Sequence, residues 1–313
     1  GATSGQFVIG SSNTATGAFA GSNVLGSNNL ATGSNAGANV TGSGNNAVGN
    51  QAGVTVSGNF NSAFGSTAGR TVVGQWNLAL GDSSGQSITG TQNTGVGQGA
   101  SRNVIGNSNF AASTNAGQTV SGSDNVGIGT NAGRLVNGNS NFGAGTNAGQ
   151  QVTGNNNLAI GAASGNFVTG SNNLASGVNA GQGVSGSSNI ASGVNAGVVV
   201  SGGDNIATGQ TAGFSVTGSN NIASGTSAGQ FISGSRNIAT GMSAGRVVTG
   251  VNNIATGFQT GSSVTGSNNI SLGSAAGQAV FGSENTAFGS NAGWSIVGSL
   301  NIASGNNAGT VVT

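Results

Sequence analysis

The chain has 313 residues, of which 64 are glycine, and it contains no proline, cysteine or histidine. Its only ionisable side chains are five arginines and four acids, for a formal net charge of +1. This composition excludes clustered cations for nucleic acid, and no apolar run of about eighteen residues could insert into a membrane. Without His, Lys or Cys, and with scattered acids, we expect no enzyme, no cofactor and no metal site.

Sixteen-residue repeats account for almost the whole sequence. Residues 1–9 fit a partial first rung, and residues 10–313 divide into nineteen repeats without insertion or deletion, so we predict a single repeat domain over 1–313. Numbered from Gly10 as column one, the repeat reads G-x-x-N-φ-A-x-G-x-x-A-G-x-x-V-x. Columns eight and twelve are glycine except at Ser113 and Ser101, where we expect a local irregularity.

Each repeat is predicted to form two short strands separated by glycine turns. Three glycines per repeat disfavour a helix and supply positive φ at turns. The strands are expected at columns four to seven and thirteen to sixteen. Stacking of like strands at about 4.8 Å would give two parallel sheets and a rod of roughly 90 Å. The predicted fold is all-β, a parallel β-solenoid or β-roll of about nineteen rungs.

Strand alternation assigns the columns to the interior or the surface. Column fifteen is always Val or Ile and is predicted to face inward, as are the Asn of column four and the small residue of column six. Columns five and seven then face outward. An exposed apolar stripe of this kind predicts association with neighbouring chains. The predicted self-association stripe in column five consists of Ile190, Ile206, Ile222, Ile238, Ile254, Ile270 and Ile302.

The asparagine of column four is present in all nineteen repeats. Identical amides stacked at the rung spacing can donate and accept along the axis, so we predict a structural role for them, as a hydrogen-bonded ladder or as turn caps. The predicted ladder consists of Asn13, Asn29, Asn45, Asn61, Asn77, Asn93, Asn109, Asn125, Asn141, Asn157, Asn173, Asn189, Asn205, Asn221, Asn237, Asn253, Asn269, Asn285 and Asn301.

Segments such as Asn205–Gly209 (N-I-A-T-G) and Asn157–Gly161 (N-L-A-I-G), each followed two residues later by a small residue, resemble a known motif. They are similar to the head repeats of YadA-type trimeric autotransporter adhesins and to related repeats in phage tail fibres. The resemblance covers essentially the whole chain. It implies a left-handed, trimeric β-roll that is displayed outside the cell and used for attachment.

These patterns favour a structural or adhesive fibre module at the cell surface or outside the cell, secreted and processed, that associates laterally and end to end. The expected partner is the chain itself, as a trimer or filament, together with a surface or matrix ligand. The sequence starts in column eight and stops in column sixteen without a capping pattern, so we expect either removed caps or termini that stack on other molecules.

Two alternatives remain open. One is an ice-binding solenoid, because threonines recur in columns seven and sixteen, although Phe64, Leu80 and Phe288 interrupt one column and Phe281 and Val297 the other. The second alternative is a trimeric adhesin head that binds a host or matrix ligand without polymerising.

Overall fold

The computed structural model describes residues 3–313, so the first two residues of the partial rung 1–9 lie outside the described part. The described residues form short strands and turns and contain no helix. The chain divides into two compact units, an N-terminal unit that ends at Asn157 and a C-terminal unit, Leu158–Thr313. Each unit contains one sheet made from columns five to seven, the alanine sheet, and one that ends at column sixteen, the valine sheet.

The valine sheet takes its name from the buried Val or Ile of column fifteen. In the N-terminal unit its strands are Val8–Ile9, Val24–Leu25, Asn39–Thr41, Thr55–Ser57, Thr71–Val73, Ile88–Thr89, Val104–Ile105, Val120–Ser121, Val136–Asn137 and Val152–Thr153. In the C-terminal unit they are Val168–Thr169, Val184–Ser185, Val199–Ser201, Ser215–Thr217, Phe231–Ser233, Val247–Thr249, Ser263–Thr265, Ala279–Phe281, Ser295–Val297 and Val311–Val312.

The alanine sheet takes its name from the small residue of column six. In the N-terminal unit its strands are Thr14–Thr16, Leu30–Thr32, Asn46–Val48, Ser62–Phe64, Leu78–Leu80, Thr94–Val96, Phe110–Ala112, Val126–Ile128 and Phe142–Ala144. In the C-terminal unit they are Leu158–Ile160, Leu174–Ser176, Ile190–Ser192, Ile206–Thr208, Ile222–Ser224, Ile238–Thr240, Ile254–Thr256, Ile270–Leu272, Thr286–Phe288 and Ile302–Ser304.

Strands of successive rungs pair in parallel, and each residue lies opposite the residue one repeat further on. Ile206 pairs with Ile222 in the alanine sheet, and Val200 pairs with Val216 in the valine sheet. The predicted all-β fold, a parallel β-solenoid with two short strands per rung, is therefore confirmed.

The strands are shorter than predicted, because columns four and thirteen lie outside them. At column four the backbone N–H donates to an asparagine side chain of the preceding rung and not to a neighbouring strand. Asn221 N–H, for example, donates to Asn205 Oδ1 at 3.0 Å. At column thirteen the chain is leaving the turn made by the column-twelve glycine, which has positive φ.

Four columns fill the interior. The Val and Ile of column fifteen are at most 5% exposed from Val24 to Ile296, and the asparagines from Asn29 to Asn285 are at most 6% exposed, both as predicted. Column six is buried as well. Column eleven was not assigned to the interior by the sequence, yet its alanines from Ala20 to Ala292 are completely buried. Packing in this thin interior is close, since a Cβ at Gly53 would lie 2.9 Å from Ala47 Cβ.

The turns need more left-handed residues than the glycine pattern indicated. Columns one, eight and twelve have positive φ, as predicted, but so do columns three and ten, where glycine is rare. Column three often carries Asn, Ser or Asp, which tolerate this conformation. Bulky residues also occur there, including Phe60 (φ 57°) and Trp76 (φ 62°).

The irregularity expected between Ser101 and Ser113 is local and does not interrupt the strands. The strand containing Phe110 keeps the normal register with both neighbours. Ser101 adopts the left-handed conformation of the glycine it replaces (φ 52°), and its hydroxyl donates to Thr94 O at 3.1 Å. Its side chain occupies space that is free because column six is glycine here, since a Cβ at Gly95 would lie 2.8 Å from Ser101 Cβ.

Candidate functional site

The interior of each unit contains a one-directional file of asparagine amides. Asn237 donates from both its backbone N–H (3.0 Å) and its Nδ2 (3.1 Å) to the Oδ1 of Asn221. The second Nδ2 hydrogen of Asn237 goes to the carbonyl of Gly250 at 2.9 Å. The same pattern recurs in the N-terminal unit, where Asn77 donates to Asn61 Oδ1 and to Gly90 O.

This arrangement uses the whole hydrogen-bonding capacity of each amide within a file. The Nδ2 group makes two donor bonds, and Oδ1 accepts two. Buried amides with no free donor or acceptor have nothing left to offer a ligand. The asparagines therefore hold the rungs in register, and the surfaces available for recognition are the outer faces of the sheets.

The isoleucine stripe lies on the outer face of the alanine sheet in the C-terminal unit. Ile190 and Ile206 are 38% and 36% exposed, and Ile302 is 80% exposed. The other stripe residues, Ile222, Ile238, Ile254 and Ile270, are partly buried. Thr286 interrupts the stripe between Ile270 and Ile302.

Two files of hydroxyl side chains accompany the stripe in this unit. The bulky residues that interrupt columns seven and sixteen elsewhere in the chain lie outside these two files, so each file is continuous over many rungs. Residues two apart on a strand face the same side, which places the column-seven file beside the isoleucines. That file is Ser176, Ser192, Thr208, Ser224, Thr240 and Thr256, and the column-sixteen file on the valine sheet, exposed throughout, is Thr169, Ser185, Ser201, Thr217, Ser233, Thr249 and Thr265.

The outer face of the N-terminal unit has no comparable order. Column five changes from Leu30 to Asn46, Ser62 and Leu78 in successive rungs. Column seven carries exposed bulky residues such as Phe64. On the column-three edge, the rings of Phe60 and Trp76 stack with centroids 4.3 Å apart and an interplanar angle of 16°. These aromatic rings form an isolated pair and no repeated surface.

A narrow channel of about 310 Å³ runs inside the N-terminal unit from Val8 to Ile88. Its walls are the asparagine, alanine, glycine and valine columns of the interior. Ile88 has one more methylene than the valines of the preceding rungs, and its Cδ1 lies next to Gly85, in the space between columns twelve and fifteen. The channel is therefore a consequence of valine in column fifteen.

Within residues 3–313 there is no group of three or more His, Cys, Asp or Glu side chains that could hold a metal ion. No helix among these residues is long and apolar enough to cross a membrane.

Comparison with known proteins gives no match, neither to a protein-family model nor to a curated protein.

Proposed function

We propose that this chain is a structural or adhesive fibre module that acts outside the cell and associates with further copies of itself through the isoleucine stripe. The observation that carries the proposal is a file of partly exposed isoleucines over six successive rungs, from Ile190 to Ile270. Continuous apolar surface of this kind marks an interaction site on a soluble protein.

The charge distribution supports the same conclusion. A formal net charge of +1 on 313 residues provides little electrostatic repulsion between copies. The hydroxyl file beside the stripe supplies donors and acceptors at the rim of the contact, an arrangement typical of interfaces that combine an apolar centre with polar edges. The proposal assigns the chain no catalytic step.

A triple substitution of Ile206, Ile222 and Ile238 by threonine tests the proposal. Threonine is β-branched, so the strands are retained while most of the apolar area is removed. We expect the unchanged chain to form oligomers or elongated particles at micromolar concentration, and the triple variant to remain monomeric. Light scattering coupled to size exclusion, with negative-stain microscopy, measures both.

A matched control replaces Val199 and Val247 by threonine on the outer face of the valine sheet, where they are 52% and 43% exposed. This control removes apolar surface of similar kind from another face, and association should persist. A clean monomer of the unchanged chain across the concentration range would contradict the proposal, as would a triple variant that associates normally. A discrete trimer that binds a ligand without polymerising would support an adhesin head instead.

Ice binding is a second candidate, favoured by the continuous hydroxyl files. On the valine sheet of the C-terminal unit, seven successive rungs each present an exposed Ser or Thr in column sixteen, from Thr169 to Thr265, at the regular strand spacing of about 4.8 Å. A flat grid of methyl and hydroxyl groups can order water on one face. Thermal hysteresis of the dispersed protein, abolished by Thr217→Leu with Thr249→Leu but retained in the isoleucine triple variant, would establish this function.

A further inference from the structure

The peptide between columns thirteen and fourteen occurs in two orientations in this fold. In the forward orientation, the column-fourteen N–H donates to column thirteen of the following rung, as from Thr55 to Arg70 O at 2.8 Å. In the backward orientation it donates to the preceding rung, as from Asn103 to Gln86 O at 2.8 Å. The backward orientation gives column fourteen a positive φ, which is 55° at Asn103.

Rungs of one orientation are grouped into blocks, because each N–H needs a carbonyl that points toward it. In the N-terminal unit, a forward block contains Asn39, Thr55 and Thr71, and a backward block runs from Ser87 to Gln151. Thr71 and Ser87 therefore direct their N–H groups at each other.

The two carbonyls that could have accepted these hydrogen bonds are already used. Gln86 O accepts from the next rung beyond Ser87, and Arg70 O accepts from the rung before Thr71. The column-thirteen carbonyls that accept from column fourteen in other rungs are thus occupied by other donors next to Thr71 and Ser87. Both residues are exposed, so one acceptor atom such as a water oxygen can bridge the two donors.

The C-terminal unit contains the complementary boundary. Gly183 donates backward and Val199 donates forward, so the carbonyls of Gln182 and Val198 face each other. Gly183 is the only glycine in column fourteen, and a Cβ there would lie 3.3 Å from Val198 O. The N-terminal unit has the same kind of boundary without a glycine, where Asn23 donates backward to Gln6 O and Asn39 donates forward to Val54 O.

Glutamine in column thirteen occurs with both orientations, since Gln230 precedes Phe231, which donates forward, but in the backward block the glutamine also donates to the column-ten carbonyl of the rung before it. Gln86 Nε2 donates to Thr67 Oγ1 at 2.9 Å, and Gln118 Nε2 donates to Gly99 O at 2.9 Å, so each side chain is tied to the turn of the rung before it. Val54 occupies column thirteen in the forward block and has no group that could make such a bond. The bond to the column-ten carbonyl, rather than the presence of glutamine, therefore accompanies the backward peptide and favours it.

We propose that the peptide between Gln86 and Ser87 acts as a switch, because it can adopt either the forward or the backward orientation. When this peptide turns over, the boundary between the forward and backward blocks moves by one rung. When this peptide turns forward, Gln86 O accepts a hydrogen bond from Thr71 N–H and no longer accepts one from Asn103 N–H. The number of hydrogen bonds is unchanged. Ser87 leaves its left-handed conformation, which favours the move, and loss of the Gln86 side-chain bond opposes it.

The substitution Gln86→Val tests the switch by removing the side-chain bond, with a residue that the same column already accommodates at Val54. Hydrogen exchange at single-residue resolution reports the boundary directly. In the unchanged chain, Thr71 and Ser87 amides should exchange at least about tenfold faster than that of Thr55. In Gln86→Val, Thr71 should become protected and Asn103 should lose its protection by a similar factor.

Gln118→Val is the matched control, because it lies inside the backward block. Turning over that peptide would create two new boundaries, so the exchange pattern should stay as in the unchanged chain. Protection of Thr71 and Ser87 in the unchanged chain would overturn the proposal. So would a Gln86→Val variant in which Thr71 stays unprotected while Asn103 remains protected.

Discussion

The N-terminal and C-terminal units have the same interior but differ in what they present to solvent. Both bury asparagine, small residues and Val or Ile in the same columns. On the outside, column five of the C-terminal unit is isoleucine in most rungs, whereas the same column of the N-terminal unit varies between Leu, Asn, Ser, Thr, Phe and Val. Interior columns are constrained by hydrogen bonds and close contacts, whereas the outer columns can change without altering the fold.

The largest loss in the free energy of unfolding is expected from substitutions in the asparagine files, which both units contain. Asn221→Ala leaves the backbone N–H and one Nδ2 hydrogen of Asn237 without acceptor and Gly234 O without donor. With each buried orphan costing about 1 kcal/mol or more, the free energy of unfolding should fall by at least about 3 kcal/mol. Asn61→Ala should cause a similar loss. Chemical denaturation measures both.

The outward Asn46 provides the control for the asparagine files. Its side chain lies on the outer face of the alanine sheet, so Asn46→Ala should change the free energy of unfolding by less than about 0.5 kcal/mol. Equal losses at Asn46 and Asn61 would show that burial in the file is not what makes the interior asparagines important.

A smaller effect is expected where the N-terminal unit departs from the regular interior. Gly95→Ala brings a Cβ to 2.8 Å from Ser101 Cβ, and such overpacking typically costs about 1–3 kcal/mol. Ser101→Gly removes this contact but leaves Ser84 Oγ at 2.8 Å and Ala100 O at 3.0 Å from the added Cβ, so the double variant should recover only part of the loss. A double-mutant cycle measures the coupling, and additive effects would contradict the contact.

The channel of the N-terminal unit gives a stabilising prediction. Val56 lines the channel, and Val56→Ile adds a methylene in the position where Ile88 Cδ1 lies in its own rung. We expect a gain of about 0.5–1 kcal/mol from filling this space, and Ile88→Val should lose about the same amount. Thermal and chemical denaturation measure both changes; destabilisation by Val56→Ile would mean that the channel is too narrow for the added group.

The smallest effect on stability should be found at the outer face. Ile238→Thr and Leu78→Thr alter the same column in the two units, and each should change the free energy of unfolding by less than about 0.5 kcal/mol. Their effects on association should differ, because only Ile238 lies in a continuous isoleucine file. Sedimentation velocity distinguishes the two, and equal effects on association would remove the distinction between the units.

The sequence predicted the fold and the inward columns because a strict period places like residues in one file whatever their chemistry. It did not assign Ala20 and the rest of column eleven to the interior, because small residues are common both in turns and in cores. Nor did it predict positive φ at Phe60 and Trp76, since large side chains do not favour that conformation.

The boundary between Thr71 and Ser87 was also beyond sequence reasoning. The position of this boundary depends on hydrogen bonds between rungs. Residues 71 and 87 are both small hydroxyl residues, and no sequence feature distinguishes them from the same column in other rungs. The hydroxyl files are continuous over only part of the C-terminal unit, from Ser176 to Thr256 and from Thr169 to Thr265, because Phe281, Phe288 and Val297 follow them in the same unit. The associating role of the isoleucines stays a prediction.

The asparagine files also have a polarity. Between asparagines the bonds run one way, from each N–H and Nδ2 to the Oδ1 one repeat earlier, whereas the second Nδ2 hydrogen goes the other way to a glycine carbonyl, so the two rims of a cut across a unit are chemically unlike. Two such rims of unlike kind can join head to tail, and two of the same kind cannot. Repeated head-to-tail joining does not form a ring when the rotation between successive copies fails to close. Growth along this axis would then produce a polar thread with distinguishable ends.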